Sequence, residues 1–456
     1  MKRIYVPLLA VMLGAVMLAA GQNPPTSSAP PSSAPPSQTA ASAAMPSLTL
    51  QQAQALALKN HPQVLASQYN MLASYQVIRE QRAAYFPTLT GEIGGSEADR
   101  STRLGVGSPY PNSPLLWSKF AQGLTVNQLI TDSGRTPSLV ASSKLQAQSS
   151  KANLQATKYD VLLAVNEAYF EVLRADALLR VAQKTVDERQ VVVDQVSAMV
   201  SNKLKSKLDL SFVDVNLAQA KLLELTSEDN LNKAYAQLSR ALGTRDNTRY
   251  ALQAVQLPAA PPMTTEEAVG QAMANRPELL SMRLMRDSAY KFERAQRDLS
   301  FPTVSASVVG GFIPDIAQLN LPKIVPNHYD AAMINVDVPI FNGGLFAADR
   351  EQALLQARAS DQNLRNTRQQ IVRDVRDSWA DATSGYQRIA VTQQLLDEAR
   401  MALALAQGRY NLGLGSIVEL TEGQLRELQA EIENVNAQYD YHIQSAMLRY
   451  QEGLLQ

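Results

Sequence analysis

The side chains that could support chemistry are few and scattered in this sequence. The three histidines, His61, His328 and His442, occur singly, and the chain contains no cysteine. No two histidines have metal-binding spacing, and no glycine-rich loop could cradle a phosphate. The stretch around Ser416 lacks the second glycine that a nucleophile elbow requires. We therefore predict no enzyme activity, no metal site and no cofactor, and the hypothesis of a secreted enzyme lacks a recognisable pocket.

Two acidic residues near the C-terminus offer a different kind of site. Glu419 and Glu422 lie three positions apart in a helical pattern. Residues at this spacing share one face of a helix, so both carboxylates are presented together and could attract a cation. The alternative is that they are exposed acids that the helix dipole favours near a helix start. The choice depends on the elements that carry them.

Composition narrows the class of protein. The chain has 456 residues, and its 42 Lys and Arg residues balance 42 Asp and Glu residues. This balance argues against nucleic acid as a partner, because nucleic-acid binding normally requires a basic stripe. Aromatic residues make up 6% and charged residues 18% of the chain. This composition favours long, closely packed helices over a compact soluble enzyme.

The N-terminal segment is predicted to direct secretion. Residues 1–20 combine Lys2 and Arg3 with an apolar run and a small-residue cleavage site, as a signal peptide does. The alternative is an uncleaved anchor, but the apolar run is short for a bilayer span. Residues 21–47 are rich in Pro, Ser and Ala, a composition that cannot build a core and indicates a linker.

The rest of the chain is a tandem duplication. Thr49–Thr88 aligns with Thr264–Thr303 at an offset of 215, with thirteen identities in forty positions. Farther along, Gly134 and Gly344 match at an offset of 210. We therefore predict two repeats, residues 48–257 and 258–456. Each is expected to contain a helix, a β-hairpin, a long helix and a shorter helix.

The predicted hairpins cover about residues 86–131 and 301–341, so each chain supplies four strands. In the first hairpin the apolar residues Leu89 and Ile93 alternate with the polar residues Thr90 and Glu92. In the second hairpin apolar and polar residues alternate as far as Ile340, and Pro339 lies near the end of this run. Half-apolar strands of this length suit a barrel with lipid outside and water inside. An ordinary soluble sheet with one wet side remains the alternative.

The predicted long helices run over Thr136–Ser201 and Phe346–Asn411. At about 1.5 Å per residue each reaches about 100 Å, which favours coiled-coil-like layers over a compact core. A shorter helix follows each, over Lys207–Leu242 and Ser416–Glu452. Glycines stand at the two strand-to-helix turns that precede the long helices: Gly134, Gly343 and Gly344.

Four strands leave two open edges, and unpaired backbone groups in lipid cost several kcal/mol each. A closed membrane barrel usually needs at least eight strands. The sequence therefore predicts an oligomer, in which two copies would supply eight strands and three copies twelve.

The signal segment, the duplicated "FPT" strand starts, "PIFNGG" and "GRYNLGLGSIVELTEGQ" together resemble the outer-membrane efflux (TolC-like) channels of Gram-negative bacteria. The resemblance extends from Leu48 to the C-terminus. It implies a mainly α fold with a transmembrane β-barrel part, in which a homotrimer forms a twelve-strand barrel in outer-membrane lipid and a twelve-helix periplasmic tunnel. It also implies partners, namely a periplasmic adaptor (membrane fusion) protein and an inner-membrane pump.

The function implied is a passive exit duct for small molecules or proteins in tripartite efflux or type I secretion. The alternative is a periplasmic coiled-coil adaptor or scaffold without a membrane barrel. Adaptors normally carry one helical hairpin between β-rich halves, whereas this chain duplicates hairpins of both kinds.

The resemblance also assigns roles at the periplasmic entrance. It implies that Tyr410 is a gate tyrosine bonded to an acid at Asp209. It further implies that Glu419 and Glu422 form acidic rings, which would place six carboxylates in a narrow opening of the trimer.

One position departs from the family pattern. Gly415 stands where the best-known family member has a gate arginine, so that ion pair is not expected here. We hypothesise that three lysines of the equivalent turn supply the positive charge of the closed state by pairing across chains: Lys203, Lys205 and Lys207.

Overall fold

The structure is a computed structural model that describes residues 46–96, 119–244, 249–262, 264–312 and 328–455. The predicted signal peptide and all of the predicted linker except residues 46 and 47 lie outside the described residues.

Long helices dominate the part of the chain that is described. In chain order the helices are α1 Leu50–Asn60, α2 Pro62–Ala83, α3 Arg135–Ser201, α4 Lys207–Leu242, α5 Thr265–Asn275, α6 Pro277–Asp298, α7 Leu345–Asn411 and α8 Ile417–Gln451. The helices α3 and α7 each contain 67 residues, so each is about 100 Å long. Each begins one residue earlier than predicted.

The helices are interrupted at two prolines. His61 has ψ of 124° and Arg276 has ψ of 121°, both extended, and each precedes a proline at the first helical position. Proline disfavours helical backbone in the residue before it, and its own missing N–H is harmless at a helix start. These residues therefore separate α1 from α2 and α5 from α6.

Six strands form two sheets within the described residues. Their bounds are β1 Ser47–Leu48, β2 Thr88–Ser96, β3 Lys119–Thr131, β4 Ala251–Leu252, β5 Thr303–Phe312 and β6 His328–Asp337. The strands β2, β3, β5 and β6 form one antiparallel sheet in that order. The short strands β1 and β4 pair in parallel, and the sequence pattern did not predict them.

The register of the large sheet separates two faces. Leu89 lies opposite Val126, and Val304 lies opposite Val336, so apolar residues collect on one side. Thr88 and Asn127 are paired on the other side. No other described residue covers the apolar face within one chain. Its exposed side chains include Leu89, Ile93, Leu124, Val308, Ile334 and Val336.

The last strand is shorter than predicted. Its pairing with β5 ends at Asp337, so Val338 and Ile340 lie beyond the strand. Pro339 has no backbone N–H to donate, so it cannot continue the ladder. The expectation that the alternation through Ile340 belongs to the strand is wrong.

Both strand-to-helix corners use the same backbone conformation. Ser133 and Gly134 have φ of 57° and 106°, and Gly343 and Gly344 have φ of 66° and 85°. Glycine adopts this left-handed region readily. Ser133 is held there by the hydrogen bond that its hydroxyl donates to the carbonyl of Pro302 at 2.6 Å.

The helices pack in pairs and share small cores. The helix α3 packs against α2, α4, α6 and α8, and α7 packs against α5, α6 and α8. In the described part of the chain, no helix is both long and apolar enough to cross a membrane.

Candidate functional site

The two helical hairpins end in turns of the same shape. Residues 202–206 join α3 to α4, and residues 412–416 join α7 to α8. Leu204 donates its backbone N–H to Met199 at 2.9 Å, and Leu414 donates to Arg409 at 2.8 Å. Lys203 holds a φ of 60° where the second turn has Gly413. A lysine therefore occupies a position that favours glycine.

A small apolar core lies directly behind these turns, and Tyr410 is at its centre. The ring is only 2% exposed. It packs with residues from α3, α4 and α8: Val192, Val196, Val213, Ile417 and Leu420. Burial and the charge of Asp209 raise the pKa of the Tyr410 hydroxyl, so the phenol stays neutral at physiological pH.

The expected bond between Tyr410 and Asp209 is not formed in this structure. The Tyr410 hydroxyl has no hydrogen-bond partner among the described residues. The Asp209 carboxylate instead accepts the backbone N–H of Ser206 at 3.1 Å, while the Ser206 hydroxyl accepts the Asp209 N–H at 3.2 Å. This capping box engages Asp209 in starting α4.

One of the three predicted lysines does approach the buried tyrosine. The ammonium nitrogen of Lys205 lies 4.4 Å from the centre of the Tyr410 ring. A cation at this distance over a ring face is attracted by the negative face of the ring. Lys203 and Lys207 are exposed, and neither forms an ion pair with a carboxylate of the described residues.

Glu419 is paired with an arginine that the sequence reasoning overlooked. Arg409 Nε lies 2.9 Å from Glu419 Oε1 across the turn, and a second nitrogen donates to the carbonyl of Leu414 at 3.3 Å. A β-carbon at Gly415 would lie 3.1 Å from Glu419 Oε2 and 3.2 Å from Arg409 Cβ. The missing side chain of Gly415 thus leaves room for this ion pair. In the sequence, the "GR" directly before Tyr410 contains this arginine and could have indicated the pair.

Glu422 also carries its own counter-ion. Arg426, one turn further along α8, lies 2.9 Å from its carboxylate. Both acids and both arginines are exposed, so these pairs are weak and salt-sensitive. Within one chain each of the two acids therefore has a basic neighbour and keeps its charge exposed.

Two of the three histidines, His61 and His442, have local structural roles. The His61 ring nitrogen accepts the backbone N–H of Gln63 at 3.3 Å at the start of α2. His442 is buried and stacks on Phe170 at 4.5 Å between ring centres. No group of three metal-ligating side chains occurs in the described ranges.

A duplicated strand pair with an exposed apolar face, extended by two 67-residue helices, is the fold found in solved outer-membrane channels. The profile of the family described as "Outer membrane efflux protein" matches residues 53–244 and 268–451, and the chain belongs to this family.

Individual relatives are distant but extensive. The chain is 24% identical to "Outer membrane protein TolC" of Vibrio cholerae over 428 residues, which cover 91% of this chain and 92% of that one. It is 24% identical to "Alkaline protease secretion protein AprF" of Pseudomonas aeruginosa, covering 88% and 83%. The fold matches the crystal structure of the Campylobacter jejuni CmeC outer membrane channel with a TM-score of 0.78 at 17% identity, covering 89% and 85%.

Proposed function

We propose that three copies of this chain close into a passive exit duct across the outer membrane and periplasm. The observation that carries the proposal is the four-stranded sheet. Among the described residues its apolar face is uncovered, and the outer edges of β2 and β6 are unpaired. Such a sheet is stable in lipid only when further strands complete a closed barrel. Three copies would supply twelve strands for the barrel. They would also supply twelve helical segments for the tunnel, each of them a long helix or a pair of shorter helices.

The driving force is proposed to come from partners. The duct has no assigned catalytic centre, so an inner-membrane pump would supply the energy and a periplasmic adaptor would join the two. One relative is named for alkaline protease secretion and another as an outer membrane channel. This variety of names supports a duct that does not itself select its cargo, so that the pump makes the selection. We assign the cargo only as small molecules or proteins.

The proposal is tested on the purified full chain in detergent and in planar bilayers. We expect a native mass of three chains and discrete channel conductance. A carbonate wash should leave the protein in the outer-membrane fraction. A monomer released by carbonate and silent in the bilayer would instead identify a periplasmic scaffold.

We also propose that the turns at residues 202–206 and 412–416 form the periplasmic entrance. Three copies would bring Glu419 and Glu422 into rings, each acid accompanied by its arginine. A narrow opening concentrates such charges, so the acids that face the lumen would favour cations.

Removing these acids should change the ion preference of the channel. In the variant with Glu419→Gln and Glu422→Gln, Arg409 and Arg426 lose their counter-ions and each chain gains two positive charges. We expect the ratio of cation to anion permeability to fall severalfold in asymmetric salt. Asp229→Asn is the matched control, because Asp229 forms an exposed ion pair with Lys233 on α4, far from the turns. If the unmodified chain, the double variant and Asp229→Asn had equal permeability ratios, Glu419 and Glu422 would not line the entrance.

A further inference from the structure

The two repeats of one chain follow a single geometric rule. In the first hairpin Thr88 pairs with Asn127, and in the second Thr303 pairs with Asp337. The two pairs occupy equivalent positions of the repeats, because Thr303 lies 215 residues after Thr88 and Asp337 lies 210 residues after Asn127. The helices obey the same shifts, because α6 begins 215 residues after α2 and α7 begins 210 residues after α3. A contact between the repeats can therefore be translated to the next step of a ring.

The junction between the repeats is formed by α3 and α6, and it is hydrogen-bonded. Two pairs of buried serines face each other with hydroxyl oxygens 2.8 Å and 2.7 Å apart. A fifth serine donates to a buried carboxylate at 3.4 Å. In this order the pairs are Ser142 with Ser288, Ser149 with Ser281, and Ser138 with Asp298.

The helix α2 lacks the second neighbour that its counterpart has. The helix α6 lies between α3 and α7, whereas α2 packs along α3 and no second long helix of the described chain lies along it to the same extent. Its outer face is exposed and includes Ala66, Tyr69 and Ala73. A matching face of α7 is also exposed and includes Gln352 and Ala359.

We propose that these two faces join neighbouring copies: α7 of one chain packs along α2 of the next in the register that α3 and α6 use within a chain. The proposal rests on the trimer proposed above and specifies its seam. Shifting the two serine pairs and the Ser138–Asp298 pair by 210 and 215 residues gives the contacts. They are Ala359 with Ala66 of the partner subunit, Gln352 with Ala73 of the partner subunit, and Ala348 with Ala83 of the partner subunit.

The seam between copies therefore differs in chemistry from the junction within a chain. Four of the five positions that correspond to the internal serines are alanine, and the remaining one is Gln352. Alanines allow close approach of two helices but supply no side-chain hydrogen bonds. This seam depends on close packing, and it contains no counterpart of the buried serine pairs.

The same shift pairs the open edges of the sheet. The internal strands place Val126 opposite Val308, which translates to Val336 opposite the partner's Ile93. Asn127 opposite Ser307 translates to Asp337 opposite the partner's Glu92. Two acids opposite each other repel, whereas the Ser307 hydroxyl lies 2.8 Å from the Asn127 side-chain oxygen. This edge again lacks the polar contact found inside the chain.

Cysteine cross-linking tests the register directly, because the natural chain has no cysteine. The variant with Ala66→Cys and Ala359→Cys should form disulfides between chains on mild oxidation in the membrane. We expect covalent dimers and closed trimers on non-reducing gels. The variant with Ser149→Cys and Ser281→Cys is the internal reference and should form its disulfide without a change in chain number.

The matched control is Ala66→Cys with Gln352→Cys, which displaces one partner by seven residues, or about 10 Å along the helix. It should cross-link about tenfold less, because a disulfide requires β-carbons within about 4.5 Å. Ala73→Cys with Gln352→Cys tests the same register independently if the first variant misfolds. Equal or stronger cross-linking of the control in a trimeric protein would overturn the register alone. A monomeric native mass of the unmodified chain would overturn the proposed function as well.

Discussion

Replacing Tyr410 with alanine is expected to loosen the helix tips and raise the resting conductance of the channel. The ring is buried among residues of α3, α4 and α8, and truncation of a buried aromatic side chain costs about 3–5 kcal/mol. Because the hydrophobic cluster joins both helical hairpins, its loss should release them from each other. Hydrogen exchange of the two turns should accelerate, and bilayer current without a pump should increase.

Tyr410→Phe is the informative contrast. The hydroxyl has no hydrogen-bond partner among the described residues, so its removal should be neutral or stabilise the tip by about 1 kcal/mol. A gate held by a hydrogen bond from Tyr410 to Asp209 would instead open in both variants. Conductance of the phenylalanine variant thus separates a packing latch from a hydrogen-bonded one.

The lysine near the ring belongs to the same latch. The variant with Lys205→Gln and Lys207→Gln removes the cation that lies 4.4 Å from the ring centre, and we expect a smaller rise in resting current than for Tyr410→Ala. Unchanged current in both Tyr410→Ala and the lysine variant would show that this cluster does not hold the entrance closed.

The elements of this fold are readable from the sequence because their patterns are long. A 67-residue helix contains many turns of the same periodicity, and the duplication supplies each pattern twice. The strand-to-helix corners are marked by Gly134 and Gly344, which the left-handed backbone favours. Local sequence therefore determines these features without reference to tertiary contacts.

The contacts of the site depend on geometry that no pattern displays. The pairing of Arg409 with Glu419 requires a turn that brings residues ten positions apart within 2.9 Å. Asp209 could have bonded Tyr410 or capped its own helix, and the short local contact with Ser206 prevails. The family resemblance predicted residues of the tip, but not the partners that Asp209 and Glu419 have in the structure.

A second set of charges joins the helical hairpins farther from the turns, where the sequence shows only ordinary charged positions. Lys184 of α3 lies 3.9 Å from Glu427 and 3.4 Å from Glu431 on α8. Arg400 of α7 lies 3.8 Å and 3.5 Å from the same two acids. Glu427 is only 8% exposed, whereas Lys184 is 47% exposed. Three helices thus meet at a largely buried carboxylate.

The charge of Glu427 depends on this cluster. Burial raises its pKa, Glu431 and Glu188 raise it further, and Lys184 and Arg400 lower it. Since its pKa is raised in the folded protein, its contribution to stability is complete below the ordinary glutamate value. That contribution is lost as the pH rises through the raised value. At neutral pH Glu427 therefore relies on its cations.

Lys184→Gln should weaken the contact between α3 and α8 by about 1–2 kcal/mol at pH 8. The buried carboxylate of Glu427 loses one of its two cations in this variant, and the effect is limited because Lys184 is half exposed. At pH 5 the loss should shrink, since the variant's Glu427 takes up a proton more readily. Hydrogen exchange of α8 around Glu427 measures both values.

Adding Glu427→Gln should rescue most of the loss at pH 8, whereas Lys233→Gln, in an exposed pair with Asp229, should change stability by less than about 0.5 kcal/mol. A loss that is the same at both pH values and is not rescued would show that Lys184 acts through packing of its aliphatic chain rather than through its charge.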